Sequence, residues 1–311
     1  MKYCFGVDVG GTSVKMGLFR YDGNIMDKWE IRTRTENQGE TILADIAESI
    51  EGKIAESQIL KEDILGIGMG IPAPVTGDGI VYQTANLGWG YKEVKREMEE
   101  LTALSVSVAN DANVAALGEM WLGGGRGHKN LVVVTLGTGV GGAIIVGGEC
   151  VIGSHGGAGE IGHITVNYDE TETCGCGRTG CLEQYASATG IARLARRRLK
   201  ADDTPSMLRA ENQVTAKSVF DAVKEGDQVA EEIASEFGKY LGYALANVAA
   251  ACDPGVIVVG GGVSKAGPIL LGFIERPFRE RAYISNVNTA FALAQLGNDA
   301  GICGAAKLVL K

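Results

Sequence analysis

The sequence predicts an α/β protein of two domains, each opening with a strand, a glycine turn and a returning strand. Three observations carry this prediction. The chain has 311 residues, enough for two ordinary α/β domains with separate cores. Apolar runs of strand length alternate along it with segments of helical periodicity. The stretch Phe5 to Phe19 also matches Val132 to Val146, with Gly10 falling on Gly137, Thr12 on Gly139 and Val14 on Gly141. Such a repeat points to internal duplication, and a chance likeness of two β-hairpins is the competing account.

In the first domain, Tyr3 to Val7 reads as a strand that ends in Asp8. Gly10, Gly11, Thr12 and Ser13 turn the chain, Val14 to Phe19 returns, and Asp22-Gly23 marks the next turn. A glycine turn bounded by Asp8 and Lys15 suits phosphate. Its amide N–H groups are exposed, Thr12 adds a hydroxyl, and Asp8 would hold Mg2+ through water. Thr41 to Ser57 places Ile42, Ile46, Ile50 and Ile54 on one helical face. Ile64 to Ile71 reads as a buried strand stopped by Pro72-Ala73-Pro74. The following loop leads to Asn86-Leu87-Gly88-Trp89. An amide and an indole suit sugar hydroxyls and a sugar ring, and a core tryptophan beside a capping asparagine fits equally. Tyr91 to Leu101 reads as a helix, Leu104 to Ala109 as a strand, and Ala112 to Leu122 as another helix. Asn110-Asp111 therefore sits at the carboxyl end of a strand, where open α/β sheets carry functional groups. Two roles are open to Asp111: helix N-cap, or the base that takes a proton from a sugar hydroxyl attacking a γ-phosphate, with Asn110 orienting the sugar.

Gly123 to Gly127 reads as the crossing into the second domain. Asn130 to Thr135 and Ala143 to Val146 flank the second glycine turn, which contains Gly137, Thr138 and Gly139. The densest chemistry follows, between Glu160 and Glu183. Cys174, Cys176 and Cys181 are interleaved with glycines, so three thiolates can converge, and His163 is the natural fourth ligand. A Cys3His zinc site has no open position, which makes this Zn2+ structural. Glu160 and Glu183 hang from the frame such a metal fixes, as a shell for hydroxyl groups would. Leu182 to Leu199, Thr215 to Lys224, Gln228 to Ala251 and Pro268 to Arg281 read as helices, with Asp202 to Asn212 an exposed loop. Val256 to Val259 is an apolar strand before Gly260-Gly261-Gly262, where glycines leave room for a flat ring such as adenine.

The net charge of −9 argues against a nucleic-acid partner, because no basic face is large enough to displace many counterions. The first strand begins within two residues, leaving no room for a signal peptide. No apolar run approaches the ~20 residues of a membrane helix. These features predict a cytoplasmic protein that does not associate with membranes, its seven cysteines reduced.

Taken together, the motifs resemble the ROK group of sugar kinases and repressors, within the actin-like, hexokinase-like ATPase superfamily. The resemblance runs nearly end to end. It rests most on CGCGRTGCLE (Cys174 to Glu183) and the preceding GEIGH (Gly159 to His163), with DVGGTSVK, NDAN and TLGTGVGG in family order. It implies a ribonuclease H-like fold with duplicated domains: a small domain over 1–122, a large one over 123–298, and a final helix from Gly301 to Leu310 returning to the first. It also implies that Asp111 is the catalytic base. Asn86, Asn110, Glu160, His163 and Glu183 would bind the sugar, with His163 also on zinc. The Gly10 to Thr12 and Gly137 to Gly139 turns would hold ATP phosphates, and Gly261 and Gly262 would flank adenosine. Within the family the likeness is greatest to bacterial ATP-dependent glucokinases, which implies phosphorylation of glucose at the 6-hydroxyl and a homodimer. Kinases for other hexoses or N-acetylhexosamines share these motifs, as would a silent sugar sensor. Pro72-Ala73-Pro74 departs from the Pro-Gly-Pro of many relatives, so the Ala73 methyl is expected to intrude where backbone nears the sugar.

Overall fold

The structure, a computed structural model, describes residues 1–310. The chain forms two compact units. The first holds Met1–Gly127, Ile152–Ala158 and the C-terminal segment from Gln295; the second holds His128–Val151 and Gly159–Ala294.

The first unit begins with strands β1 (Tyr3–Val9), β2 (Ser13–Arg20) and β3 (Ile25–Arg32), then helix α1 (Ile42–Ser57). Next come β4 (Ile64–Ile71), the two-residue strands β5 (Ile80–Val81) and β6 (Lys92–Glu93), and helix α2 (Val94–Thr102). Strand β7 (Val106–Asn110) runs directly into helix α3 (Asp111–Leu122). The sheet order is β3-β2-β1-β4-β7, antiparallel across the first three and parallel across β1, β4 and β7. The reason is local: glycine turns of a few residues can only reverse a strand, whereas β4 and β7 return through helical crossovers. The isoleucine stripe of α1 is buried as its spacing predicts. Helix α2 starts three residues later than expected, because Lys92–Glu93 pairs with Ile80–Val81.

The second unit repeats the plan. Strands β8 (Leu131–Leu136), β9 (Val140–Val146) and β10 (Glu149–Cys150) are followed by helices α4 (Glu183–Ala186), α5 (Ala188–Ala201), α6 (Ala216–Lys224) and α7 (Gln228–Cys252). Strand β11 (Val256–Gly260), helix α8 (Ile269–Arg281) and strand β12 (Ala290–Leu293) complete it. The order β10-β9-β8-β11-β12 has the same directions as the first sheet. Strand β8 ends and β9 begins 127 residues after β1 ends and β2 begins, so the duplication in sequence is a duplication of structure. The stretch expected as one helix from Leu182 breaks at Ser187, whose hydroxyl caps α5 by accepting the Gly190 N–H at 2.9 Å. Met207–Ala210 forms a 3-10 turn inside the expected loop, and β12 has no clear sequence signal.

The chain ends in helix α9 (Ala300–Lys307), which packs within the first unit on β1, β4 and α3. It approaches closely because glycines face it. A methyl on Gly68 would overlap the Ala305 carbonyl, and one on Gly304 would overlap the carbonyl of Val114 in α3. The unit boundary falls after Gly127 rather than after Leu122, so the glycine run belongs with the first unit. Gly304→Ala is expected to destabilise by at least ~2 kcal/mol, since helix backbone must move to admit the methyl. Thermal unfolding checks this; an unchanged midpoint would mean that α9 packs less tightly.

Candidate active site

In the first unit, three parallel strands bring Asp8, Gly70 and Asn110-Asp111 toward one edge of the sheet. Asn110 has extended backbone and is the N-cap of α3, its Oδ1 accepting the Ala112 N–H at 3.0 Å and the Asn113 N–H at 3.4 Å. Its Nδ2 donates to the Ala73 carbonyl at 3.2 Å. The capping role open to Asp111 thus falls mainly to Asn110, although Asp111 Oδ1 also accepts the Ala112 N–H at 2.8 Å. Burial pushes the Asp111 carboxyl above the usual aspartate value, against the lowering effect of the Ala112 N–H and Asn110. Burial raises Asp8 as well; Lys15, its partner across the β1–β2 pair, draws it down, and the Asp111 charge raises it further. Both carboxylates are thus held partly buried, and the charge of Asp111 reaches Asp8.

The Gly10–Thr12 turn closes through the Gly10 N–H to the Ser13 carbonyl at 3.0 Å and is tied to Thr33 by bonds from the Thr33 hydroxyl and amide. Gly11 and Thr12 are exposed, and Asn86, also exposed, packs beside Gly11. Trp89 does not join them. Its ring is buried, with Nε1 donating to the Gly39 carbonyl at 3.0 Å, so it belongs to the core. Ala73 is buried in the core cluster of the first unit.

In the second unit, the Gly137–Gly139 turn is held by a Gly137 N–H to Gly139 carbonyl bond of 2.9 Å. Glu183 braces it, Oε2 accepting the Val140 N–H at 3.1 Å in a space that any side chain at Gly139 would fill. The other oxygen of Glu183 lies 3.7 Å from the Cys174 Sγ. Glu183 thus joins the glycine turn to the cysteine loop. Ligand atoms of His163, Cys174, Cys176 and Cys181 all lie within 4.8 Å of one another. Cys174 is 3.9 Å from His163 Nδ1, and Cys176 is 3.6 Å from Cys181. Three sulfurs and one imidazole nitrogen at such separations fit a tetrahedral Zn2+. Glu160 is exposed, and its carbonyl accepts the His163 N–H at 3.1 Å.

The loop leading to Cys174 is anchored by Glu170. Its carboxylate accepts the Tyr185 hydroxyl at 2.5 Å and pairs with Arg193 at 2.5 Å, and the Arg193 guanidinium also lies over the Tyr185 ring. Burial works to raise this carboxyl, but the Tyr185 and Arg193 bonds outweigh it and hold Glu170 at about 2.

A pocket of about 340 Å³ lies between α6 and the turn after β11, lined by Ala188, Thr215, Phe220, Gly262, Val263 and Ala266 among others. This is the size and mixed lining of a small-molecule site. Gly262 lines it as expected, but Gly261 is absent from its lining. With φ +85° it packs against the Leu136 backbone, so its role is close approach. Thr215, Phe220, Val263 and Ala266 went unread in the sequence, because an amphipathic helix and an apolar turn look the same with or without a ligand.

Duplicated five-stranded sheets with one glycine turn apiece define an actin-like, hexokinase-like ATPase fold. The ROK family model matches residues 4–311, and the chain belongs to that family. It is 45% identical to a glucokinase of Halalkalibacterium halodurans over 99% of this chain and 95% of that one. A crystal structure of a ROK hexokinase from Thermus thermophilus superposes with a TM-score of 0.81 at 30% identity, covering 98% of this chain and 97% of that one. A ROK glucokinase from Streptomyces griseus, in complex with glucose and AMPPNP, superposes with a TM-score of 0.70 at 34% identity and 98% coverage of both chains. No described helix is long and apolar enough to cross a membrane.

Glu170 supplies a test of the cysteine-loop anchor. Its folded pKa lies below the unfolded value, so its stabilisation is present above about 4.5 and is lost as pH falls toward about 2. Glu170→Gln should unfold at lower urea than wild type at pH 7, with the gap closing as pH falls through that window. A gap independent of pH would count against the charged network.

Proposed function

We propose that this protein transfers the γ-phosphoryl group of ATP to the 6-hydroxyl of glucose. The carrying observation is Asp111: a partly buried carboxylate at a strand end, with N-capping taken mainly by Asn110, in a chain 45% identical to a glucokinase along nearly its whole length. Asp111 accepts the hydroxyl proton as the sugar oxygen attacks phosphorus and the bond to ADP breaks. Burial raises its pKa, which makes it a stronger base than an exposed aspartate.

The sugar hydroxyls fall to Asn86, Asn110, Glu160, His163 and Glu183. The Gly10–Thr12 turn with Lys15 and the Gly137–Gly139 turn present amides to the phosphates. Adenosine takes the pocket beside Gly262, where Phe220, Val263 and Ala266 offer apolar walls. Asp8 is the carboxylate placed to hold Mg2+ through water, and the ion when bound supplies neutralisation of the β- and γ-phosphate charge. The cysteine cluster with His163 would hold Zn2+, whose contribution is rigidity: it fixes the His163 ring and the loop that Glu183 joins to the phosphate turn.

Asp111→Asn should lower kcat by about 10²–10⁴-fold with sugar affinity nearly unchanged. Sugar-dependent ADP release by wild type and variant, across glucose, mannose, fructose, N-acetylglucosamine and N-acetylmannosamine, checks both base and substrate. Preference for an amino sugar would move the specificity; near-normal turnover of the variant would remove Asp111 from its role. The metal is tested separately. Chelation under mild denaturation should release about one zinc per chain and abolish sugar binding with it, and sugar binding retained by metal-free protein would break that link.

A further inference from the structure

Glu119 is a carboxylate that the kinase reading does not use. It lies in the last turn of α3, where a negative charge opposes the helix dipole, and it is 3% exposed. No basic side chain among the described residues pairs with it. Instead it accepts backbone N–H groups from two segments, one just after its own helix and one far along the chain: Gly124 at 2.9 Å, Gln295 at 3.0 and 3.1 Å to its two oxygens, and Leu296 at 2.9 Å. A buried charge is tolerated only when so bonded, and amide-to-carboxylate bonds are among the stronger ones.

The two segments have a shared place in the chain. Residues 123–127 lead out of the first unit for the first time, and after the short return at Ile152–Ala158 the chain comes back to that unit for good at Gln295. The first residue of the glycine run serves the carboxylate directly. Gly123 has an ordinary φ of −111°, yet a methyl on it would overlap Glu119 Oε2. That glycine is required for room rather than for backbone freedom.

We propose that Glu119 is a positioning residue: it fastens the outgoing and returning linkers to α3, the helix whose first residue is Asp111. Movement of the linkers on substrate binding is thereby passed to the helix that carries the base. A local helix-capping role alone would not call for a charge bonded to segments about 170 residues apart in sequence. The proposal rests on the kinase reading.

The test uses full-length Glu119→Gln, whose amide sets an N–H group against backbone N–H donors, and Gly123→Ala, which crowds the carboxylate and keeps its charge. Steady-state kinetics on folded protein and hydrogen exchange of residues 123–127 and 293–297, with and without sugar, are read together. Both variants should lose at least tenfold in kcat, with KM for ATP within about twofold, and lose exchange protection at Gly124, Gln295 and Leu296. Full kcat in variants with loosened linkers would overturn the proposal, as would linkers protected equally in all three proteins. Failure of both variants to fold would assign Glu119 to the fold alone and also overturn it. Absence of turnover in wild type would refute the kinase reading instead, and the exchange arm would still judge the clamp.

Discussion

Close backbone contact around α9 is the constraint on which the first unit depends. Gly6 and Gly68 lie against α9 from the sheet, and Gly118 and Gly304 bring α3 and α9 together; at each, a side chain would strike backbone. This contact sets where α3 lies, and α3 begins with Asp111. It also brings Gly301 against the Asp8 carboxylate, in space any larger residue would occupy. The last helix of the chain thus shapes the surroundings of a carboxylate in the first strand. Packing without side chains between the partners leaves little freedom for either to shift, as the role proposed for Asp111 would require.

The second unit reaches rigidity by different means. Its glycine turn rests on one oxygen of Glu183, whose other oxygen faces the cysteine cluster. The approach to that cluster is held by Glu170, Tyr185 and Arg193, with Tyr185 stacked on Tyr240 at 4.1 Å between ring centroids. Polar groups converge here on a loop with little hydrophobic surface of its own. Such a loop is ordered by polar bonds rather than by burial, and a metal on the cysteine cluster would add to them.

Four carboxylates illustrate how environment divides one chemistry into several roles. Glu170 has an arginine and a phenol, stays ionised well into acid, and acts as an anchor. Glu119 has only backbone amides, and those amides belong to the linkers. Asp8 and Asp111 are the ones burial pushes upward, with Lys15 drawing Asp8 down and a backbone amide and Asn110 drawing Asp111 down. Incomplete compensation is in keeping with the ligand and proton roles proposed for these two, since a purely structural carboxylate would be expected to find full partners.

The sequence by itself determined the duplicated architecture, the two glycine turns and the cluster of three cysteines and His163. Each depends on residues near one another in the chain, whose spacing and backbone chemistry are visible without coordinates. Tertiary structure alone decided the rest. Trp89 is core because Gly39 offers it a carbonyl, Ala73 is buried in the core cluster, and Gly261 packs on Leu136 rather than lining a pocket. Asn110 rather than Asp111 carries most of the cap, a choice made by the backbone angle at one residue. Glu119 had no role legible in the sequence, and three of its four bonds come from Gln295 and Leu296, 176 and 177 residues later. Local pattern records what a residue can do; which partner it meets depends on contacts between segments that no local pattern encodes.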